Sequence, residues 1–212
     1  MEESEPSGEK SMKVLELYCG HGGWSKPFAE DGAETYGVDI TDFSDVYPGT
    51  FLQSDMRDFS GLAFKPFDLV IGSPPCNDFS TSAQANRTRL DRKPESKPDE
   101  YRGMELFGHA LRVIGENKPR FWALENVWRS RKFIPMEAQW TFRLSPWAKR
   151  LVWTNIPLDG LAPDHVAHYK LEEKFAKMNL RWAEMSAARA EIPYPIARYV
   201  ADSIKIAMRP KP

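Results

Sequence analysis

An open α/β fold, with a mostly parallel central sheet and helices on both faces, is what this sequence predicts. Two patterns carry the expectation. The first runs from a strand (Lys13 to Leu17) through a glycine-rich turn (Gly20, Gly22, Gly23) and a short helix (Trp24 to Asp31). It continues into a second strand (Thr35 to Val38) that ends in Asp39, the βαβ start of a nucleotide-binding sheet. The second is a strand, helix and strand between Asp68 and Leu124, a connection that makes a parallel crossover. With 212 residues and average apolar content, the chain can bury one sizeable core and hardly two.

Each element has a local reason. Pro27 is tolerated in the first turn of its helix, and Gly32 terminates it. Asp68 to Ile71 is a short buried-type strand that runs into Gly72, Ser73, Pro74 and Pro75. Each proline fixes φ near about −65°, and Pro75 restricts Pro74, so Cys76 is presented on a stiffened backbone. Asp99 to Asn117 carries the strongest helical signal: Met104, Phe107, Leu111 and Ile114 form one apolar stripe, and Lys118-Pro119 stops it. Arg120 to Leu124 then reads as a strand leading to Glu125. The crossover puts Cys76 and Glu125 on the same sheet edge, where open α/β sheets gather ligands. Residues 136–144 and 151–156 are strand-like, and Arg150 stands just before the latter. Pro195 to Ala207 forms a final helix with Ile196, Val200, Ile204 and Ala207 on one side.

Composition narrows the class. Net charge is −1, so any nucleic-acid surface is a local patch. Two cysteines are too few for a disulfide framework, and both sit in ligand loops, which suggests a reducing cytosol. His165 and His168 stand three apart without a third ligand, so no metal is expected. The Glu/Ser-rich residues 1–11 read as a polar tail without a secretion signal, and no apolar run is long enough to cross a bilayer. A cytoplasmic monomer without membrane contact is the expectation.

Pro74-Pro75-Cys76-Asn77-Asp78-Phe79-Ser80, followed by Leu124-Glu125-Asn126-Val127, in that order and on strand ends, resembles the DNA cytosine-5 methyltransferase family. The resemblance covers most of residues 13–135. It implies a Rossmann-like S-adenosylmethionine-dependent methyltransferase fold and a compact, phage-type member without a full target-recognition domain. By that resemblance the catalytic residues are Cys76 as nucleophile, Glu125 as the acid at cytosine N3, Asn126 beside it, and Arg150. Arg143 is a second match to the family's arginine-rich strand. The loop Tyr18, Cys19, Gly20, Gly22, Gly23 and Trp24 is implied to hold the methionine part of S-adenosylmethionine. Asp39 meets the ribose hydroxyls, Asp55 meets the adenine amino group with Met56 beside the ring, and Ile40, Ser73 and Pro74 complete the pocket. Ile192 to Ala197 resembles the closing motif that packs on the cofactor. The family's Gly-Asn before it is Arg189-Ala190 here, which could admit an altered substituent on sulfur.

The chemistry asks for these residue types. Cytosine C5 is not nucleophilic until a thiolate adds at C6, which needs a soft ionisable nucleophile and an acid at N3. The base must leave the duplex to be reached, so the implied partner is DNA with a flipped cytosine, or a single strand. One catalytic domain over 12–212 is expected, with a mobile loop at 77–103 and a minimal recognition insert near 157–189. Arg87, Arg89, Arg92 and Lys93 in the loop can reach phosphates, and Lys170, Lys174, Lys177 and Arg181 share one face of a helix in the insert. So little recognition material implies low sequence selectivity. Two alternatives stand beside this reading. One keeps the chemistry on RNA, a free nucleotide or a modified sulfonium donor, and the other is a catalytically silent nucleic-acid-binding protein.

Overall fold

The computed structural model describes residues 11–64, 66–79, 99–144, 148–158 and 191–209. Seven strands form one sheet: β1 (Lys13–Leu17), β2 (Glu34–Asp39), β3 (Thr50–Gln53), β4 (Leu69–Gly72), β5 (Phe121–Val127), β6 (Trp140–Arg143) and β7 (Lys149–Thr154). Their spatial order is β3-β2-β1-β4-β5-β7-β6. The first five run parallel, and β7 is antiparallel to both β5 and β6. The order reverses between β1 and β4, which opens a crevice at their carboxyl ends. The sheet is thus Rossmann-like, with β7 as the one reversed strand, one place in from the edge.

Helices cover both faces. On one side α1 (Lys26–Glu30) and α3 (Tyr194–Met208) pack Phe28, Ile196, Val200 and Ile204 onto Val14, Leu69 and Ile71. On the other, α2 (Glu100–Asn117) packs Phe107, Ala110 and Val113 onto Leu15, Leu17, Val70 and Leu124. Because β1 and β4 are apolar on both faces, their runs are continuous rather than alternating. Arg198 and Lys205 of α3 both pair with Asp31, which clips the two helices of the first layer together.

Several expected boundaries move. The first helix opens only at Lys26, because the Trp24 and Ser25 N–H groups are held by the Glu16 carboxylate. The buried face of α2 is Gly103, Phe107, Ala110, Val113 and Asn117, with Leu111 and Ile114 only partly covered. The face turns because Gly103 lies against the Phe79 ring and Asn117 fills the space beside Gly61, so close approach outweighs side-chain bulk. Strand β3 has no counterpart in the sequence reading: four residues at a sheet edge, exposed at both ends, show no periodicity. Arg150 lies inside β7, paired with Val127, and not ahead of it.

The stretch expected to be mobile, 77–103, is structured at both ends. Asp99 caps α2 by accepting from Tyr101 N–H, residues 100–103 are helical, and Phe79 is fully buried. The buried Asp78 carboxylate accepts from Asp99 N–H at 2.9 Å and from Arg102 Nε at 3.0 Å, so the two ends meet. The arginines and lysine at 87–93, nearly all of the insert expected at 157–189 with the helix expected there, His165 and His168, and the tail to residue 10 lie outside the described residues. No helix among the described residues is long and apolar enough to cross a membrane.

Candidate active site

A cleft of about 510 Å³ opens at the carboxyl edge of the sheet, and the expected residues converge on it. Cys76 arrives from β4 through the Pro74-Pro75 turn. Register pairs Gly72 with Leu124, so Ser73 and Glu125 come side by side, and the following residues carry thiol and carboxyl into one space. Arg150 enters from β7, with its Nη1 3.3 Å from Glu125 Oε1. The same guanidinium reaches the Cys76 sulfur.

Burial sets the protonation of this group. The Cys76 thiol is pushed above its ordinary value by desolvation; Arg150 pulls it back and Glu125 pushes it further up. Desolvation likewise raises Glu125, against the pull of Arg150 and a hydrogen bond from Ser73. A raised carboxyl keeps its proton to higher pH than an ordinary one, which suits it to donate. Glu125 is 4% exposed, and its Oε1 has no well-formed hydrogen bond among the described residues despite the nearby guanidinium. A buried acceptor left in that state is a place where a bound molecule can complete the bonding.

Asn126 is fully buried and does not line the cleft. Its side-chain amide donates to the Pro74 carbonyl at 3.0 Å, and its oxygen accepts from Val127 N–H at 2.8 Å. It therefore ties β5 to the turn that carries Cys76.

The rest of the cleft is built on the glycine turn. Gly20 and Gly22 have φ of 48° and 74°, a left-handed pair that bends the chain across the end of β1. Gly22 itself does not line the cleft; its hydrogen atoms leave room for the Pro48 ring. Gly23 has a different reason: a Cβ there would stand 2.8 Å from Ile192 N, so the segment ahead of α3 could not close over the turn. Asp39 at the end of β2 accepts from Gly20 N–H at 3.1 Å and from Thr41 N–H at 3.0 Å. Desolvation still raises its carboxyl. Beside it Ile40 is 62% exposed, an apolar side chain facing open space in the cleft, with Met56 buried nearby.

Asp55 is drawn into a fork with Arg57, which donates from its backbone N–H and its guanidinium and holds the carboxyl down at about 2. An adenine amino group would have to share that carboxylate with Arg57. Tyr18 lines the cleft in a left-handed conformation and donates its hydroxyl to the Leu106 carbonyl at 2.6 Å. Cys19 is a buried thiol raised by desolvation, and its N–H is taken by the Val38 carbonyl. Trp24 is buried and donates its indole N–H to Ser73 Oγ at 3.0 Å, tying the glycine turn to the nucleophile turn.

Two acids missed in the sequence also line the cleft. Glu16, one of the last residues of β1, is 2% exposed and accepts from Trp24 and Ser25 N–H. Burial lifts its carboxyl to about 7. The only signal was a charged residue inside an otherwise apolar strand. Glu191 closes the same end, paired with Lys26 and standing 4.0 Å from His21 Nδ1. It lies far from the glycine turn in the chain, so no local pattern announced it. Among the described residues no cluster of His, Cys, Asp or Glu could hold a metal ion.

A sheet of this order, a glycine turn after β1, and an acid ending β2 define an open α/β protein with a nucleotide-type cleft at its switch point. The residues there fit S-adenosylmethionine: an acid with lone pairs to spare for a diol, an exposed isoleucine for a flat ring, and two carboxylates at the far end for an ammonium group. The family can be stated as well. The model of the C-5 cytosine-specific DNA methylase family matches residues 12–133, and the chain belongs to that family. It is 30% identical over 132 residues to "Type II methyltransferase M1.HphI" of Haemophilus parahaemolyticus, covering 56% of this chain and 33% of that protein. It is 28% identical over 135 residues to "Type II methyltransferase M.NgoPII" of Neisseria gonorrhoeae, covering 60% and 36%. Over 166 residues it is 28% identical to a "Probable DNA (cytosine-5)-methyltransferase" of Frog virus 3, covering 72% and 73%. The chain thus spans about a third of the length of the two bacterial relatives and most of the viral one.

Proposed function

We propose that this protein transfers a methyl group from S-adenosylmethionine to C5 of cytosine in DNA. The observation that carries the reading is the convergence of Cys76, Glu125 and Arg150 at one sheet edge, in a cleft continuous with the glycine turn and Asp39. In this reading Cys76 ionises beside the Arg150 guanidinium, and its sulfur bonds to C6 of the ring. Glu125 gives a proton to N3, so the electrons of the C5–C6 bond are freed at C5. The cofactor, when bound, supplies an electrophilic methyl group. Once C5 has bonded to that methyl group and S-adenosylhomocysteine has formed, water or hydroxide from solvent takes the C5 proton. The C6–sulfur bond breaks, Cys76 leaves as thiolate, and the N3 proton returns to Glu125. Arg150 holds the acid and the thiol in register, and Asn126 keeps the Pro74 turn in place.

The target base must be extruded to enter a cleft this narrow, so the partner is DNA with a flipped cytosine or a single strand. Selectivity is proposed to be low, limited to two or three nucleotides around the cytosine, because the stretch between Pro157 and Arg189, ahead of the closing helix, is short and offers few side chains to read groove edges. The direct test is capture on a duplex that carries 5-fluorocytosine, in the presence of S-adenosylmethionine. A denaturant-stable protein–DNA adduct is expected. Turnover without an adduct would remove Cys76 from the chemistry, and an adduct on RNA alone would move the substrate. Bisulfite sequencing of a long mixed DNA after limited reaction tests selectivity; marks confined to one motif of four or more fixed bases would refute it.

A further inference from the structure

One surface beside the cleft is strongly basic. Between Asn126 and Asn155 the sequence holds six lysines and arginines and one acid, Glu137, in a chain whose net charge is −1. Four of the six are brought together by the fold. Arg129, Arg131 and Lys132 lie on a 3₁₀ turn, Trp128–Lys132, that follows β5 directly, and Lys149 starts β7 beside Arg150. Val127 pairs with Arg150, so the turn and Lys149 sit at the same sheet edge as Glu125.

The cations are organised on aromatic rings. Arg131 and Lys149 each stand 3.8 Å from the centroid of Trp128. Two like charges that close to one ring can only occupy opposite faces, so Trp128 spaces them apart. Arg129 lies 6.0 Å over Phe133, and Phe133 stacks on Phe79, three residues after Cys76. The turn is pinned by Ser130, whose hydroxyl donates to the Val127 carbonyl at 2.7 Å. Among the described residues none of the four cations pairs with a carboxylate. Surface lysines and arginines in this protein commonly do: Lys13, Lys26, Arg57, Arg102, Arg112 and Arg198 each have an acid within reach. A group of cations without carboxylate partners, held on and beside a fixed turn that adjoins the cleft, complements the charge of a phosphodiester chain.

We propose that Arg129, Arg131, Lys132 and Lys149 form a phosphate-binding rim that grips the nucleic-acid backbone beside the target cytosine. This rests on the reading that DNA is the substrate. The rim carries no base-edge geometry, so it supplies affinity and register and no sequence preference. It sits on the catalytic face itself, and so provides backbone contact without a separate recognition module.

The test is anisotropy of a labelled mixed-sequence duplex, titrated with protein and S-adenosylhomocysteine from about 50 to about 200 mM salt. Arg129→Gln/Lys132→Gln leaves the Trp128 sandwich in place. That variant is expected to bind S-adenosylhomocysteine as the wild type does, and to lose about two units of the salt slope. Across that salt range its affinity then falls about tenfold less than the wild type's. A second variant, Arg131→Gln, should lose about one unit and weaken different sequences alike. Unaltered slopes in both variants, with a wild type that methylates DNA, would overturn the rim and leave the proposed activity standing. A wild type that binds neither duplex nor single-stranded DNA would overturn both.

Discussion

The side-chain amide of Asn126 donates to the carbonyl of Pro74 at 3.0 Å, joining the strand that carries the acid to the turn that carries the thiol. Both groups are buried, so removal of the donor leaves a buried carbonyl without its partner. Replacing Asn126 with Ala should cost about 1–3 kcal/mol in urea unfolding and lower kcat, with S-adenosylhomocysteine affinity little changed. Equal kcat in the variant would show that the turn holds its shape without the bond.

Cys76→Ala should abolish both methyl transfer and adduct formation on 5-fluorocytosine DNA, while cofactor binding by calorimetry persists. Glu125→Gln should slow transfer by roughly 10²-fold or more, the scale of a lost general acid. Single-turnover rates at saturating DNA measure it, and a rate within twofold of wild type would take Glu125 out of the chemistry.

Glu16 gives the unliganded protein a pH signature. Its folded-state carboxyl titrates at about 7, against 4.5 for the ordinary group, because burial disfavours the charged form. The contribution to stability is therefore fully present below about 4.5 and is lost as pH rises through about 7. The shift corresponds to about 3 kcal/mol. Urea midpoints from pH 4.5 to 7.5 should fall more steeply for the wild type than for Glu16→Gln. Parallel curves would mean that the carboxylate is solvated in solution.

Gly23→Ala tests the closing segment. The added methyl group meets the Ile192 backbone, not a side chain that can swing away, so the segment ahead of α3 must shift. Weaker S-adenosylhomocysteine binding is expected, with a lower unfolding midpoint. Asp39→Ala should weaken the same ligand by about 1–3 kcal/mol through lost charge-assisted hydrogen bonds, with the fold retained.

The sheet, the crossover and the pairing of Cys76 with Glu125 were legible because they follow from apolar runs and the hand of a parallel connection. Arg150 was legible as a residue but not in its place, since the start of β7 is polar and reads as loop. The buried face of α2 was misjudged because Gly103 and Asn117 pack closely where a hydrophobicity pattern expects Met104 and Leu111. Glu16 hid inside a strand, and Glu191 comes to the cleft from the far end of the chain. Burial of a charge and long-range closure leave no periodic trace. The roles expected of Cys76, Glu125 and Asp39 rest on family resemblance, and the experiments above decide them.

The Asp78 clasp has a bearing on how this protein can vary. Because one buried carboxylate holds both Asp99 N–H and Arg102, positions 78 and 99 are neighbours in space although twenty-one residues apart in the chain. The connection between them is therefore closed at its base. The entropy of closing such a segment grows only with the logarithm of its length, about 0.6 kcal/mol for each doubling. The junction is therefore a port: segments of different length and composition can be exchanged there at small cost to the sheet. Since Phe79 lies only three residues beyond the cysteine, new recognition properties could be installed beside the reacting base without refolding the scaffold.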